Sequence, residues 1–202
     1  WGVGNTLKNK LNNDGIRTIG QIREMDCSEL IVKYGSIGSH IHKLSNAEDV
    51  REIKPYRKVK SISHETTFEK DTKDEVFLKK ILWGLCEKVS DRAKEKGLGG
   101  STINLKIKTK DFKLISRSIT IEEPTQIAEI IFQTSKLLLF REIKKNKFRL
   151  LGVGLSNLKD SEICDLYDLI NTNSNKEKNI EFAIDAIRNR YGVNLIKKGR
   201  SI

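Results

Sequence analysis

The chain has 202 residues, with 38 Lys and Arg against 27 Asp and Glu and a formal net charge of +11 at pH 7. Its 37% hydrophobic and 32% charged residues are the composition of a folded globular chain of one large or two small domains, and no apolar run approaches the ~18–20 residues that span a bilayer. Residues 1–50 hold six basic and six acidic side chains, residues 51–158 hold 24 against 14, and residues 159–202 hold eight against seven, so the basic excess sits in the middle. That bias points to polyanions, nucleic acid first and an anionic membrane second, with a solvated basic surface as the plain alternative.

The chain opens at Trp1, without a basic-then-apolar leader, as expected of a fragment of a longer protein. Trp1-Gly2-Val3-Gly4 runs into a short helix that Asn5 or Thr6 can cap, and Gly15 stands where a helix ends in a left-handed residue. Two glycines one residue apart expose consecutive N–H groups at a helix start, a nest that suits one phosphate. With Gly15-Ile16-Arg17-Thr18-Ile19-Gly20 downstream, this is similar to a helix-hairpin-helix motif whose first helix lies before Trp1. Ser28–Tyr34 and Ser36–Leu44 read as two further helices, with Leu30, Ile31, Ile37 and Ile41 apolar. Residues 1–50 are thus predicted to be a small helical unit, and the basic stretch 51–59 a linker whose Lys58, together with Lys60 just beyond, can lie along a phosphate backbone.

From Lys60 the pattern alternates. Lys60–Phe68 is β-rich, and Glu75–Lys96 carries a helical apolar stripe closed by Gly97, with Trp83 and Cys86 beside it as core residues. Ser101–Thr109 puts Ile103, Leu105 and Ile107 on one side and Asn104, Lys106 and Lys108 on the other. Lys110-Asp111 is a turn into the strand Phe112–Ile121, Pro124 precedes a helix over Thr125–Glu142, and Phe148–Leu155 is the last strand. Glu122-Glu123 read as favourable charge at that helix's N-terminus.

The fold class is therefore α+β: a helical unit followed, over 60–158, by a ferredoxin-like βαββαβ domain in which two helices cover one face of a four-stranded antiparallel sheet. The open face is expected to carry Ser61, Ser63, Lys106, Lys108, Ser116, Ser118 and Thr120. Hydroxyls beside lysines bind phosphate oxygens without reading bases. RNA-recognition sheets stack bases on aromatics of the central strands, and those aromatics are missing.

Cys27, Cys86 and Cys164 fit neither a disulfide framework nor zinc spacing and read as reduced thiols. His40 and His42 fall on different helix faces and His64 is isolated, so no metal site is expected.

Taken in order, Trp1–Gly4, Gly15–Gly20, Lys60-Ser61-Ile62-Ser63-His64-Glu65-Thr66-Thr67-Phe68, Ser116-Arg117-Ser118, Arg149-Leu150-Leu151-Gly152-Val153-Gly154-Leu155-Ser156-Asn157-Leu158 and Ala183–Gly192 resemble the carboxy-terminal half of Y-family translesion DNA polymerases of the polymerase IV type: a thumb followed by a little finger. The resemblance implies a thumb on the minor-groove side of a primer–template and a little finger in its major groove. It also implies phosphate contacts by Gly2 and Gly4 through N–H groups and by Ser61, Ser63, Arg117, Ser118 and Arg149. Arg117 shares its strand parity with Ile115, Ile119 and Ile121, which argues against a simple place on the open face.

The family's catalytic carboxylates and their Mg²⁺ ions belong to palm and fingers, which precede the thumb, so this chain is expected to hold no catalytic residue and no cofactor of its own. The partners implied are primer–template DNA, the palm and fingers, and a sliding clamp met by the tail 159–202. There Leu166-Tyr167 stands in place of a clamp motif lacking its Gln and first Leu. A bacterial, cytoplasmic, nucleoid-associated protein is implied. The other readings are an adaptor that docks a clamp through its sheet, and a ferredoxin-like RNA-binding module.

Overall fold

A computed structural model describes the chain except for residues 50, 54, 56, 57, 144–146, 167–171, 193, 194, 197 and 200–202, and describes only the backbone of 172–175. The chain divides into two compact units, Trp1–Arg57 and Lys58–Ile202.

The first unit holds α1 (Asn5–Asn13), α2 (Ile19–Glu24), α3 (Cys27–Tyr34) and α4 (Ser36–Ser45). Leu11, Ile16, Ile22, Leu30, Tyr34 and Ile41 form its core, while Ile31 faces solvent. The short helices survive through their caps. Thr18 and Gln21 close a capping box on α2, and the Asp26 carboxylate accepts from the Ser28 N–H at the start of α3. Gly35 turns α3 into α4 at a φ of 67°, and a Cβ on Gly38 would sit 2.1 Å from the Leu30 carbonyl oxygen, so only glycine lets these helices meet. The cap of α1 is Gly4 rather than Asn5 or Thr6.

In the second unit β1 (Ser61–Thr72), β2 (Leu98–Thr109), β3 (Leu114–Thr125) and β4 (Phe148–Asp160) form one antiparallel sheet in the order β1-β4-β2-β3. The crossover helices α5 (Glu75–Glu95) and α6 (Ala128–Ile143) cover one face. Each βαβ unit is split by one strand: β4 lies between β1 and β2, and β2 lies between β3 and β4. The predicted order of strands and helices holds, as does the α+β class. Ile103, Leu105, Ile107, Leu151, Val153 and Leu155 point inward against Leu78, Leu82, Trp83, Val89 and Ile131. Trp83 and Cys86 are fully buried, and Trp83 meets Phe132 edge-on at 5.3 Å.

Pro124 does not open a helix. It lies inside β3, which tolerates it as an edge strand, and Glu122 and Glu123 are exposed strand residues. The charges at the start of α6 come from the tail instead. Asp165 accepts from the Gln126 N–H and the Thr125 hydroxyl, and Glu181, on α7 (Thr172–Tyr191), accepts from the Ala128 N–H at 2.8 Å. Glu181 also takes the Ser90 hydroxyl and the Lys94 ammonium, and Arg188 pairs with Glu87. Burial holds the Asp165 carboxyl above its ordinary range, opposed by the Thr125 and Gln126 bonds.

Candidate nucleic-acid interface

Strand alternation leaves the second face of the sheet uncovered, and the registers order its side chains into cross-strand rows. Ser61, Ser156, Thr102 and Thr120 form the first row; Ser63, Gly154, Asn104 and Ser118 the second; Glu65, Gly152, Lys106 and Ser116 the third; Thr67, Leu150, Lys108 and Leu114 the fourth. All seven residues expected on this face from parity are brought together. The hydroxyls are tied to one another: Thr102 and Thr120 lie 3.0 Å apart, and the Asn104 amide donates to the Ser156 hydroxyl at 2.9 Å. No aromatic side chain stands in these rows. The first two rows present hydroxyls and an amide around bare backbone, a surface of neutral donors flanked by lysine.

Gly152 and Gly154 occupy the centre of the face for a steric reason. A Cβ at Gly152 would approach the Glu65 Cβ to 2.8 Å, and one at Gly154 would approach the Ser63 Cβ to 2.9 Å. The Gly-x-Gly in a strand pattern was the signal for such a close approach. Across Gly152, the Lys106 ammonium pairs with Glu65 at 2.7 Å, both side chains nearly half exposed. Glu65 shares parity with Ser61 and Ser63 and is the acid on the face that the sequence reading passed over.

Both expected arginines are engaged elsewhere. Arg117 turns toward the helices, where it pairs at 3.0 Å with Glu142, whose side chain is only 5% exposed. Arg149 holds Asp71 through two bonds of 3.0 and 3.1 Å, and this guanidinium keeps the Asp71 carboxyl below its ordinary range. The Arg149 guanidinium also lies 4.4 Å from the centre of the Phe112 ring. Lys58 and Lys60 are exposed on the segment entering β1.

In the helical unit, Gly2 adopts a φ of 85° and Gly4 leaves open space at the start of α1, where no acidic side chain occupies the first turn. The first N–H groups of α1 therefore face outward next to two residues without side chains. Leu166 is exposed immediately after the Asp165 anchor, and Tyr167 lies outside the described residues. Among the described residues no group of three or more His, Cys, Asp or Glu is placed to hold a metal ion. No described helix is long and apolar enough to cross a membrane.

The second unit is thus an open βαββαβ sheet whose uncovered face carries hydroxyls, glycines and lysines, and it follows a small helical unit in the chain. The impB/mucB/samB family C-terminal domain matches residues 59–166, and the chain belongs to that family. It is 44% identical over 199 residues to DNA polymerase IV 1 of Mesorhizobium japonicum, covering 98% of this chain and 45% of that protein. It is 43% identical, with the same coverage, to DNA polymerase IV of Brucella melitensis, and 35% identical over 201 residues to DNA polymerase IV of Caulobacter vibrioides, covering 50% of it. The chain spans about half the length of the curated relatives it matches. A Y-family DNA polymerase chimera of Dbh and Dpo4 shares the fold with a TM-score of 0.54 at 22% identity, over 77% of this chain and 45% of that one.

Proposed function

We propose that this chain is the DNA-holding half of an error-prone translesion polymerase, gripping primer–template duplex through backbone phosphates during lesion bypass and repair. The observation that carries the reading is the set of four cross-strand rows, which gathers Ser61, Ser63, Ser116, Ser118, Thr120, Lys106 and Lys108 on one uncovered face. Hydroxyls and ammonium groups satisfy phosphate oxygens whatever the base sequence, so the grip is indifferent to the template being copied. Lys58 and Lys60 extend the basic surface, and the Gly2–Gly4 nest takes a further phosphate at the start of α1. Arg149 serves the hairpin end of the sheet from its pair with Asp71, whereas Arg117 is committed to its pair with Glu142 and takes no phosphate. Phosphoryl transfer and the Mg²⁺ ions it needs belong to the palm and fingers, and this chain alone incorporates no nucleotide.

Duplex affinity measured against salt tests the reading. Each phosphate neutralised lowers log K by about 0.9 per unit of log salt, so several contacts give a steep line. Flat salt dependence supports the adaptor reading, and preference for single-stranded RNA over duplex DNA the RNA-binding one. The exposed Leu166, with Tyr167 after it, is the proposed contact for a sliding clamp. Replacing both with alanine abolishes clamp capture if that contact is real, and capture that survives refutes it. The setting proposed is the bacterial cytoplasm, on the nucleoid.

A further inference from the structure

The uncovered face changes character at one end. Three of its rows are polar, but the last carries Leu150 and Leu114, and beyond it the β2–β3 hairpin presents Phe112, 60% exposed. Its φ of 60° is uncommon for an aromatic residue, and local bonds hold it there: the Phe112 N–H donates to the Thr109 carbonyl at 3.0 Å, and the Thr109 N–H donates to the Lys113 carbonyl at 2.9 Å. The Lys110 N–H donates to the Lys147 carbonyl at 3.0 Å, which fastens the turn to the chain entering β4. Two cations lie over the ring, the Arg149 guanidinium 4.4 Å and the Lys108 ammonium 5.0 Å from its centre, and Arg149 is itself fixed by Asp71.

A phosphate needs only the cations; an aromatic ring with cations over it that is still 60% exposed is the combination that binds single-stranded nucleic acid, the open part of the ring for the base and the cations for the backbone. A paired base keeps its faces within the duplex stack and offers nothing to such a ring. We propose that this hairpin end is a stacking site for an unpaired nucleobase, with Phe112 as the platform and Lys108 and Arg149 on the flanking phosphate. The site rests on the reading of the sheet as a DNA face and adds to it a different ligand: unpaired strand next to duplex.

The test compares three DNA ligands by fluorescence anisotropy at one salt concentration: a blunt duplex, the same duplex with an unpaired template overhang, and that overhang rebuilt from abasic sites, which keep the phosphates. The native chain should favour the base-bearing overhang over the abasic one by about 5- to 150-fold, the range for one stacked base. Phe112→Gly, at ease at this φ, should erase the preference, and Phe112→Trp should keep it. Equal native affinity for the two overhangs overturns the proposal. So does a Phe112→Gly loss of the same factor on blunt duplex and overhang, since Phe112 then only positions Lys108 and Arg149. Failure of the native chain to bind blunt duplex at all overturns the DNA-face reading, and the stacking site with it.

Discussion

Replacing Arg117 with methionine removes the guanidinium that faces Glu142 and keeps most of the apolar stem. The Glu142 side chain is 5% exposed and that of Arg117 48%, at a separation of 3.0 Å. Breaking a fully buried pair costs about 3–5 kcal/mol and an exposed one about 0–1 kcal/mol. With one partner buried and the other half in water, about 2 kcal/mol is expected, or roughly 5 °C of melting temperature for a unit of this size. Urea unfolding followed through the buried Trp83 reports on this unit, since Trp1 is 88% exposed and changes little on unfolding. The double variant Arg117→Met with Glu142→Met should recover most of the loss, because an apolar pair leaves no charge stranded. Duplex affinity of the single variant should keep nearly the native salt slope. If stability is unchanged and the slope falls by about 0.9, Arg117 is a phosphate ligand first and the structural reasoning is refuted.

Glu65→Gln releases Lys106 from its exposed pair, so stability should move by less than about 1 kcal/mol, while duplex affinity rises several-fold and the salt slope steepens by about 0.9; weaker binding contradicts this. Burial, then the bond to Asp14, pushes the Tyr34 phenol up to about 12 from 10.0. Its contribution is complete below the ordinary value and lost as pH rises through about 12. Tyrosinate absorbance should therefore show one late-titrating phenol that Tyr34→Phe removes. Glu181→Ala strands the Ala128 N–H and leaves the Lys94 ammonium with Asp185 alone, and should cost the second unit about 2 kcal/mol in denaturant unfolding. A cost near zero would mean that α7 does not cap α6.

Period-two alternation carried the open face into view because it is a local property. Once Ile103, Leu105 and Ile107 are inward, Lys106 and Lys108 must be outward, and the same parity placed Ser61, Ser116 and Thr120. The same rule flagged Arg117 before the structure showed its pair with Glu142. What stayed hidden was non-local. Nothing near Pro124 indicates that Asp165 and Glu181 supply the carboxylates at the start of α6, because those contacts close loops of 39 and 53 residues. Pro124 itself was misread since a proline before a helix and a proline in an edge strand look alike until the strand order is known. Lys106 looked free because Glu65 reaches it only across β4, over a glycine. Phe112 was read as a strand start, and its exposure at the hairpin end follows from a turn geometry that the residues alone do not specify.

The central claim is that the uncovered sheet and the glycine nest hold duplex DNA by its phosphates. Affinity of the native chain for primer–template duplexes of unrelated sequence, measured from low to high salt, tests it most directly. The prediction is one steep linear decline of log K with log salt, common to all the sequences. Binding that is flat in salt, that changes with base sequence, or that is absent at low salt contradicts it.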